Sequence, residues 1–171
     1  MIVQCSRLMV KISTKMNILI TGVGGPTPRN IAWSIKNCSE FNLANLFGTD
    51  INKFAIGLYQ KDIYKETFLI PSAGDPSYWD KITEIVVKND IEIALVHPEL
   101  EVVEWSRRQS QGKKMPCKVL LADFHLSEVL VSKAKTTDIL KDEENFVPKS
   151  YVFNRNSLDK EALLKQKKKC C

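Results

Sequence analysis

The sequence predicts an α/β domain: a doubly wound, mostly parallel sheet of five strands, six if an edge strand forms near the C-terminus, with helices on both faces. Three observations predict it. Strand-like apolar runs alternate with helix-like segments from Met16 onward; the first run ends in a glycine turn that leads directly into a helix; and 171 residues at 44% hydrophobic content fill one core of this kind without calling for a second. Strands separated by helical stretches pair side by side only through crossover connections, which makes them parallel and covers both faces of the sheet.

The elements follow in order. Asn17 to Thr21 is a short apolar run ending at Gly22, as a strand buried on both faces does. Thr27-Pro28 supplies an N-cap and a proline at the first helical position, and a helix over 28–36 follows with Ile31, Trp33 and Ile35 as its apolar surface. ANLFGTDI is a second strand ending at Asp50, and ETFLIP a third, stopped by Pro71. In DPSYWDKITEIVVKND, cap chemistry precedes Trp79, Ile82, Ile85 and Val86, which share one helical face. IEIALVHP is the fourth strand, LEVVEWSRR the helix after it, and CKVLLAD the fifth strand. LSEVLVSKAKTTDILKD reads as one further helix, and PKSYVF as the optional edge strand.

The formal charge of +5 is concentrated at the two ends. Arg7, Lys11 and Lys15 precede the first strand and Lys165, Lys167, Lys168 and Lys169 close the chain, which leaves 18 basic against 20 acidic residues from Met16 to Leu164. A basic face for nucleic acid is therefore not expected on the fold. The apolar runs are too short to span a bilayer, so no membrane is expected either. Cys5, Cys38, Cys117, Cys170 and Cys171 show no C-x-x-C spacing and have only His97 and His125 to join them, so the expectation is reduced thiols, no metal site and a cytoplasmic location. Residues 1–15 read as a disordered extension or a misassigned start, and 165–171 as a basic disordered tail.

Ligands of parallel sheets bind at the carboxyl ends of the strands, where this chain places Gly22 to Pro28, Asp50, and His97 to Glu101. The turn has Gly22 and Gly24 of a dinucleotide fingerprint, but Thr27 stands at the third glycine, and Pro26 and Pro28 lack N–H groups. What remains is a narrower nest of the Gly24, Gly25 and Thr27 amides with Arg29 in the first helical turn, suited to one small carboxylate or phosphate; a tight turn also needs glycine with no ligand present. Asp50 could hold a ribose hydroxyl of a substrate or cap a helix that follows. Glu99 and Glu101 could bind a substrate amine, help hold a metal, or simply meet the dipole of their helix, while Glu104 is expected on a solvated face. His97 has no sequence neighbour that makes a catalytic couple and reads as structural.

Four segments, NILITGVGGPTPRNIAWSIK, GTDINKFAIGLYQKD, FLIPSAGDPSYWDKITEIVVKNDIEIALVHPELEV and SKAKTTDILKDEENFVPKSYVF, together resemble the amino-terminal part of ATP-grasp carboxylate–amine ligases of the carbamoyl-phosphate synthase type. Their order and spacing carry the likeness, which runs from Met16 to Phe153. The resemblance implies a Rossmann-like pre-ATP-grasp domain over 16–131, the start of an ATP-grasp domain over 132–164, and ATP with magnesium as cofactors of the whole ligase. It implies that the glycine turn faces the substrate, and it assigns an ATP contact to Lys133, with Ser132 in place of the usual acid. The family's second nucleotide lysine, glycine-rich lid, adenine hinge and magnesium acids have no counterpart before EALLKQKKKCC. The expectation is therefore a truncated chain with no turnover and no bound cofactor of its own, cut by a frame slip in an adenine-rich run and left with an exposed apolar edge at Val147 to Phe153 through which it self-associates. Lysines before a terminal Cys-Cys also resemble a prenylated terminus, but no GTPase phosphate loop accompanies them. Two other classes stay open: a stand-alone module binding a small anionic metabolite, and a nucleotide-cofactor oxidoreductase.

Overall fold

The computed structural model describes residues 15–41 and 43–141. Five strands form one sheet: β1 (Asn17–Thr21), β2 (Asn45–Asp50), β3 (Glu66–Leu69), β4 (Ile93–Leu95) and β5 (Lys118–Val119). The order is β3-β2-β1-β4-β5 and every neighbouring pair is parallel. This is the expected doubly wound, Rossmann-like arrangement, in which the chain reverses its direction of travel between β1 and β4.

The strand period of two sorts side chains to opposite faces and gives the sheet two cores. Ile18 and Ile20 of β1 and Leu46 of β2 pack with Val23, Ala32 and Tyr64 on one face. Leu19 and Phe47, the alternate positions, pack with Tyr78, Ile82, Ile85, Val86 and Trp105 on the other. β1 pairs in register with β2 from Asn17–Asn45 to Thr21–Thr49 and with β4 from Ile18–Ile93 to Ile20–Leu95, so it is the central strand.

Helix α1 (Pro26–Lys36) starts two residues earlier than expected, with Gly25 as N-cap and no side-chain cap. Pro26 takes the first position, where a missing N–H costs nothing, and Thr27 lies inside the first turn. The buried positions are Pro28 and Ala32, one turn apart, and Trp33 is 61% exposed, against the expectation that it packs inward. Adjacent positions on a helix point about 100° apart, so burying Ala32 turns Trp33 out.

Helix α2 (Tyr78–Lys88) buries Tyr78, Ile82, Ile85 and Val86. Its entry is set by Asp75, whose Oδ1 accepts from the Ser77 amide at 2.8 Å and the Ser77 hydroxyl at 2.6 Å. Helix α3 (Glu99–Ser110) follows β4 after Pro98 and buries Glu101, Trp105 and Ser106. The expected long helix after β5 is two: α4 (Phe124–Leu130) and α5 (Lys133–Leu140). Ser132 adopts an extended backbone and its side chain accepts from the Lys135 amide, and that capping bond starts a new helix where the sequence pattern alone runs on.

The chain divides into two units, Met1–Ser127 and Glu128–Cys171, with the division inside α4. The expected N-terminal extension over 1–15 apart from Lys15, the edge strand PKSYVF, the apolar edge at Val147 to Phe153 and the basic tail lie outside the described residues. Among the described residues no helix is long and apolar enough to cross a membrane, and Cys38 and Cys117 are free thiols.

Candidate functional site

A cavity of about 620 Å³ opens at the carboxyl edge of the sheet, over the point between β1 and β4 where the chain changes direction. Its walls come from every loop that leaves this edge on β1 to β4: Gly22 and Gly25–Pro28, Asp50–Ile51, Ser72–Ala73, and His97–Glu101. The volume falls in the range of small-molecule sites.

Two glycines hold the loops in place. Gly22 has φ +69°, and a Cβ there would sit 2.5 Å from Pro98 Cγ, so the turn after β1 and the entrance of α3 touch at a distance that only glycine allows. Gly57, in a single turn of 3-10 helix (Ile56–Tyr59), packs so closely on Val23 that a Cβ would overlap the Val23 carbonyl oxygen.

The amide nest expected in the glycine turn is not available. The Gly24 amide donates to Asp50 Oδ2 at 2.7 Å, and the Gly25 amide donates to the Gly22 carbonyl at 3.0 Å. Arg29 folds back as well: its Nε donates to the Gly25 carbonyl at 3.1 Å, and the side chain is absent from the cavity wall. Its charge is felt instead at Tyr64, where burial pushes the phenol up to about 12 and Arg29 pulls the other way. Of the expected donors only the Thr27 amide has no partner among the described residues.

Asp50 does what its place between capping and binding allowed. With Oδ2 on Gly24, its Oδ1 accepts from the Asn52 amide at 2.8 Å, which closes the turn after β2. It is 8% exposed and still forms part of the wall.

The centre of the site is Glu101, 3% exposed. Its Oε2 accepts from the Tyr78 hydroxyl at 2.7 Å, and that hydroxyl oxygen accepts from Trp105 Nε1 at 2.7 Å. Thr21 bonds the same carboxyl, and the Thr21 hydroxyl oxygen accepts from the His97 amide at 3.2 Å. Burial pushes the Glu101 carboxyl up to about 7; the Tyr78 and Thr21 hydrogen bonds oppose that shift and the nearby Asp50 charge adds to it. Burial and the Glu101 charge hold the Tyr78 phenol far above its usual range. His97 lines the cavity with a buried Nε2 that has no partner among the described residues, and burial holds its imidazole below the ordinary value.

Glu104 departs from the solvated face expected for it. It accepts from Trp79 Nε1 at 2.7 Å and pairs with Arg107 at 2.7 Å, while the Arg108 guanidinium lies 4.3 Å over the Trp79 ring. This layer backs the Tyr78–Glu101–Trp105 chain through ring contacts at 5.3 and 5.2 Å. Glu99 is exposed at the rim of the cavity. Lys133 is exposed at the first position of α5, in the second unit.

Gly25, Thr27, Asp50, Glu99 and Glu101 thus meet at one cavity; Gly24 supports it from behind; Arg29 does not reach it. Tyr78 and Trp105 were missed by the sequence reading, and His97 was set aside in it. A signal existed: Glu101 lies one helical turn before Trp105, so a core-facing Trp105 brings the acid inward with it.

No family model and no curated protein matches the chain. Among solved structures, the dTDP-glucose 4,6-dehydratase of Bacillus anthracis in complex with NAD is similar at 11% identity and a TM-score of 0.43. The likeness covers 61% of this chain and 36% of that one, so this chain spans well under half the length of that structure.

Proposed function

We propose that this domain is the substrate-side part of an ATP-dependent carboxylate–amine ligase and that its crevice takes the amine-bearing substrate. The order and spacing of the four resembling segments support the ligase part of the reading. The crevice part rests on one observation: the wall contains Asp50, Glu99 and Glu101 and neither a lysine nor an arginine.

Magnitudes decide between an amine and the small anion expected from the glycine turn. The N-termini of α1 and α3 open on the cavity, and a helix end favours an anion by about 0.3–1 kcal/mol. At an effective dielectric of about 20, one carboxylate about 5 Å from an anion opposes it by about 3 kcal/mol. α3 moreover brings its own acids, Glu99 and Glu101, to its first turn, where they already meet the dipole. The balance therefore favours a cation or a hydrogen-bond donor, since the wall offers a phosphate neither a lysine nor an arginine to pair with.

In this reading ATP would supply the activation of the carboxylate. The exposed ammonium of Lys133 fits a nucleotide phosphate, whereas the crevice does not. Among the described residues no group of three or more His, Cys, Asp or Glu is arranged to hold a metal ion.

Calorimetry on the full chain with methylammonium, acetate, inorganic phosphate and NAD tests the crevice. Binding of methylammonium with little heat from phosphate is expected. Tight binding of phosphate or of NAD would overturn the assignment, the latter in favour of a nucleotide-cofactor oxidoreductase.

A further inference from the structure

The crevice has one wall that its proposed ligand class does not by itself explain. A carboxylate meant only to attract a cation is best left at the rim, as Glu99 is, where water keeps it charged at little cost. Glu101 is instead sunk to 3% exposure and held by groups from three elements: Thr21 on β1, Tyr78 on α2 and, through Tyr78, Trp105 on α3 itself. Such a chain fixes the carboxyl in one orientation at the floor of a 620 Å³ cavity while leaving it part of the wall.

We propose that Glu101 receives a proton from the amine-bearing ligand of the crevice, with Tyr78 as the residue that positions it. This rests on the reading of the crevice as an amine site. An ammonium group has no lone pair and cannot act as a nucleophile, so a site that presents an amine for acylation has to take one proton away. In the step, an N–H bond of the ammonium breaks and an O–H bond forms on the Glu101 carboxylate. The electron pair stays on nitrogen, and ammonium plus carboxylate become neutral amine plus neutral carboxylic acid. Both products are uncharged, which suits a carboxyl that is only 3% exposed.

The geometry has support in the titration of this carboxyl, which burial moves to about 7, so that it can both hold and release a proton near neutral pH. The charged or titratable groups around it are Asp50 at the end of β2, Tyr78 on α2, His97 and Glu99 in the same cavity, and Glu104 beyond Tyr78. None is a lysine or arginine that would clamp Glu101 in the ionised form.

The test is a carbon-detected NMR titration of the Glu101 carboxyl in the full chain, with methylammonium chloride and with sodium chloride at matched ionic strength. Methylammonium should shift the Thr27 and His97 amides and keep the Glu101 carboxyl carbon at its protonated shift to a pH above the midpoint seen with sodium, and its apparent affinity should fall by up to about tenfold per pH unit below the sodium midpoint. Tyr78→Phe, which removes a donor to the carboxylate, should raise the midpoint, and Glu101→Gln should abolish the pH dependence of binding. If methylammonium shifts the crevice amides while the Glu101 midpoint falls or stays where sodium leaves it, the ligand has kept its proton, the proton-transfer assignment is overturned and the amine site stands. If the crevice amides do not respond at all, the amine site itself is wrong, and the role of Glu101 with it.

Discussion

Replacing Glu101 by glutamine should make the protein lose less stability as pH rises. In the folded chain the carboxyl titrates near 7 because it is 3% exposed, and in the unfolded chain it returns to the ordinary glutamate value of 4.5. The folded pKa is the higher one, so between those values the native state holds the extra proton. Stability from this group is therefore full below the unfolded pKa and is lost as pH climbs through the folded one. At 1.36 kcal/mol per unit the loss is about 3 kcal/mol between acid and mildly alkaline solution. The carboxamide of the Glu101→Gln variant cannot titrate, yet it keeps an oxygen to accept from Tyr78. Urea denaturation of both proteins, followed by circular dichroism from about pH 4.5 to about pH 8, should show the variant gaining on the wild type by about that amount. A difference between the two that stays flat with pH would refute the burial argument for Glu101.

Other outcomes follow from the same geometry. Gly22→Ala should lower stability by about 1–3 kcal/mol, since the new Cβ meets both an unfavourable backbone and the Pro98 ring, and a thermal melt will read it. Asp50→Ala should leave the Gly24 and Asn52 amides without their acceptor, and hydrogen exchange at Gly24 should accelerate while that at Thr27, which has no acceptor to lose, stays fast in both proteins. Trp33→Ser should change stability by less than about 0.5 kcal/mol, because the indole is 61% exposed, and a cost of several kcal/mol would mean that α1 is rotated from the orientation described.

Much of the fold was legible because it depends on repeating patterns. The buried strands β1 and β2 announce themselves as apolar runs ending in Gly22 and Asp50, and α2 by its spacing of Ile82, Ile85 and Val86. What was not legible depends on a single local choice. Trp33 is a large apolar residue on a short helix, and only the packing of Ala32 beneath it decides that it faces out. Ser132 is one polar residue in a long helical pattern, and its side chain caps the start of a second helix. The site shows the same division. Its location follows from topology, since the strand order fixes the crevice over β1 and β4. Its electrostatics do not, because the Gly24 and Gly25 amides look free in sequence and are occupied by Asp50 and by the Gly22 carbonyl in three dimensions. Arg29 likewise stands one turn from the nest and turns its guanidinium back on the Gly25 carbonyl.

Whether this crevice is an acidic site for a positively charged or proton-donating group is tested most directly by chemical-shift mapping of the isotope-labelled full chain, titrated in parallel with methylammonium and with inorganic phosphate. The Thr27, His97 and Glu101 resonances should move with methylammonium and stay in place with phosphate; movement with phosphate and none with methylammonium would contradict the acidic-site reading.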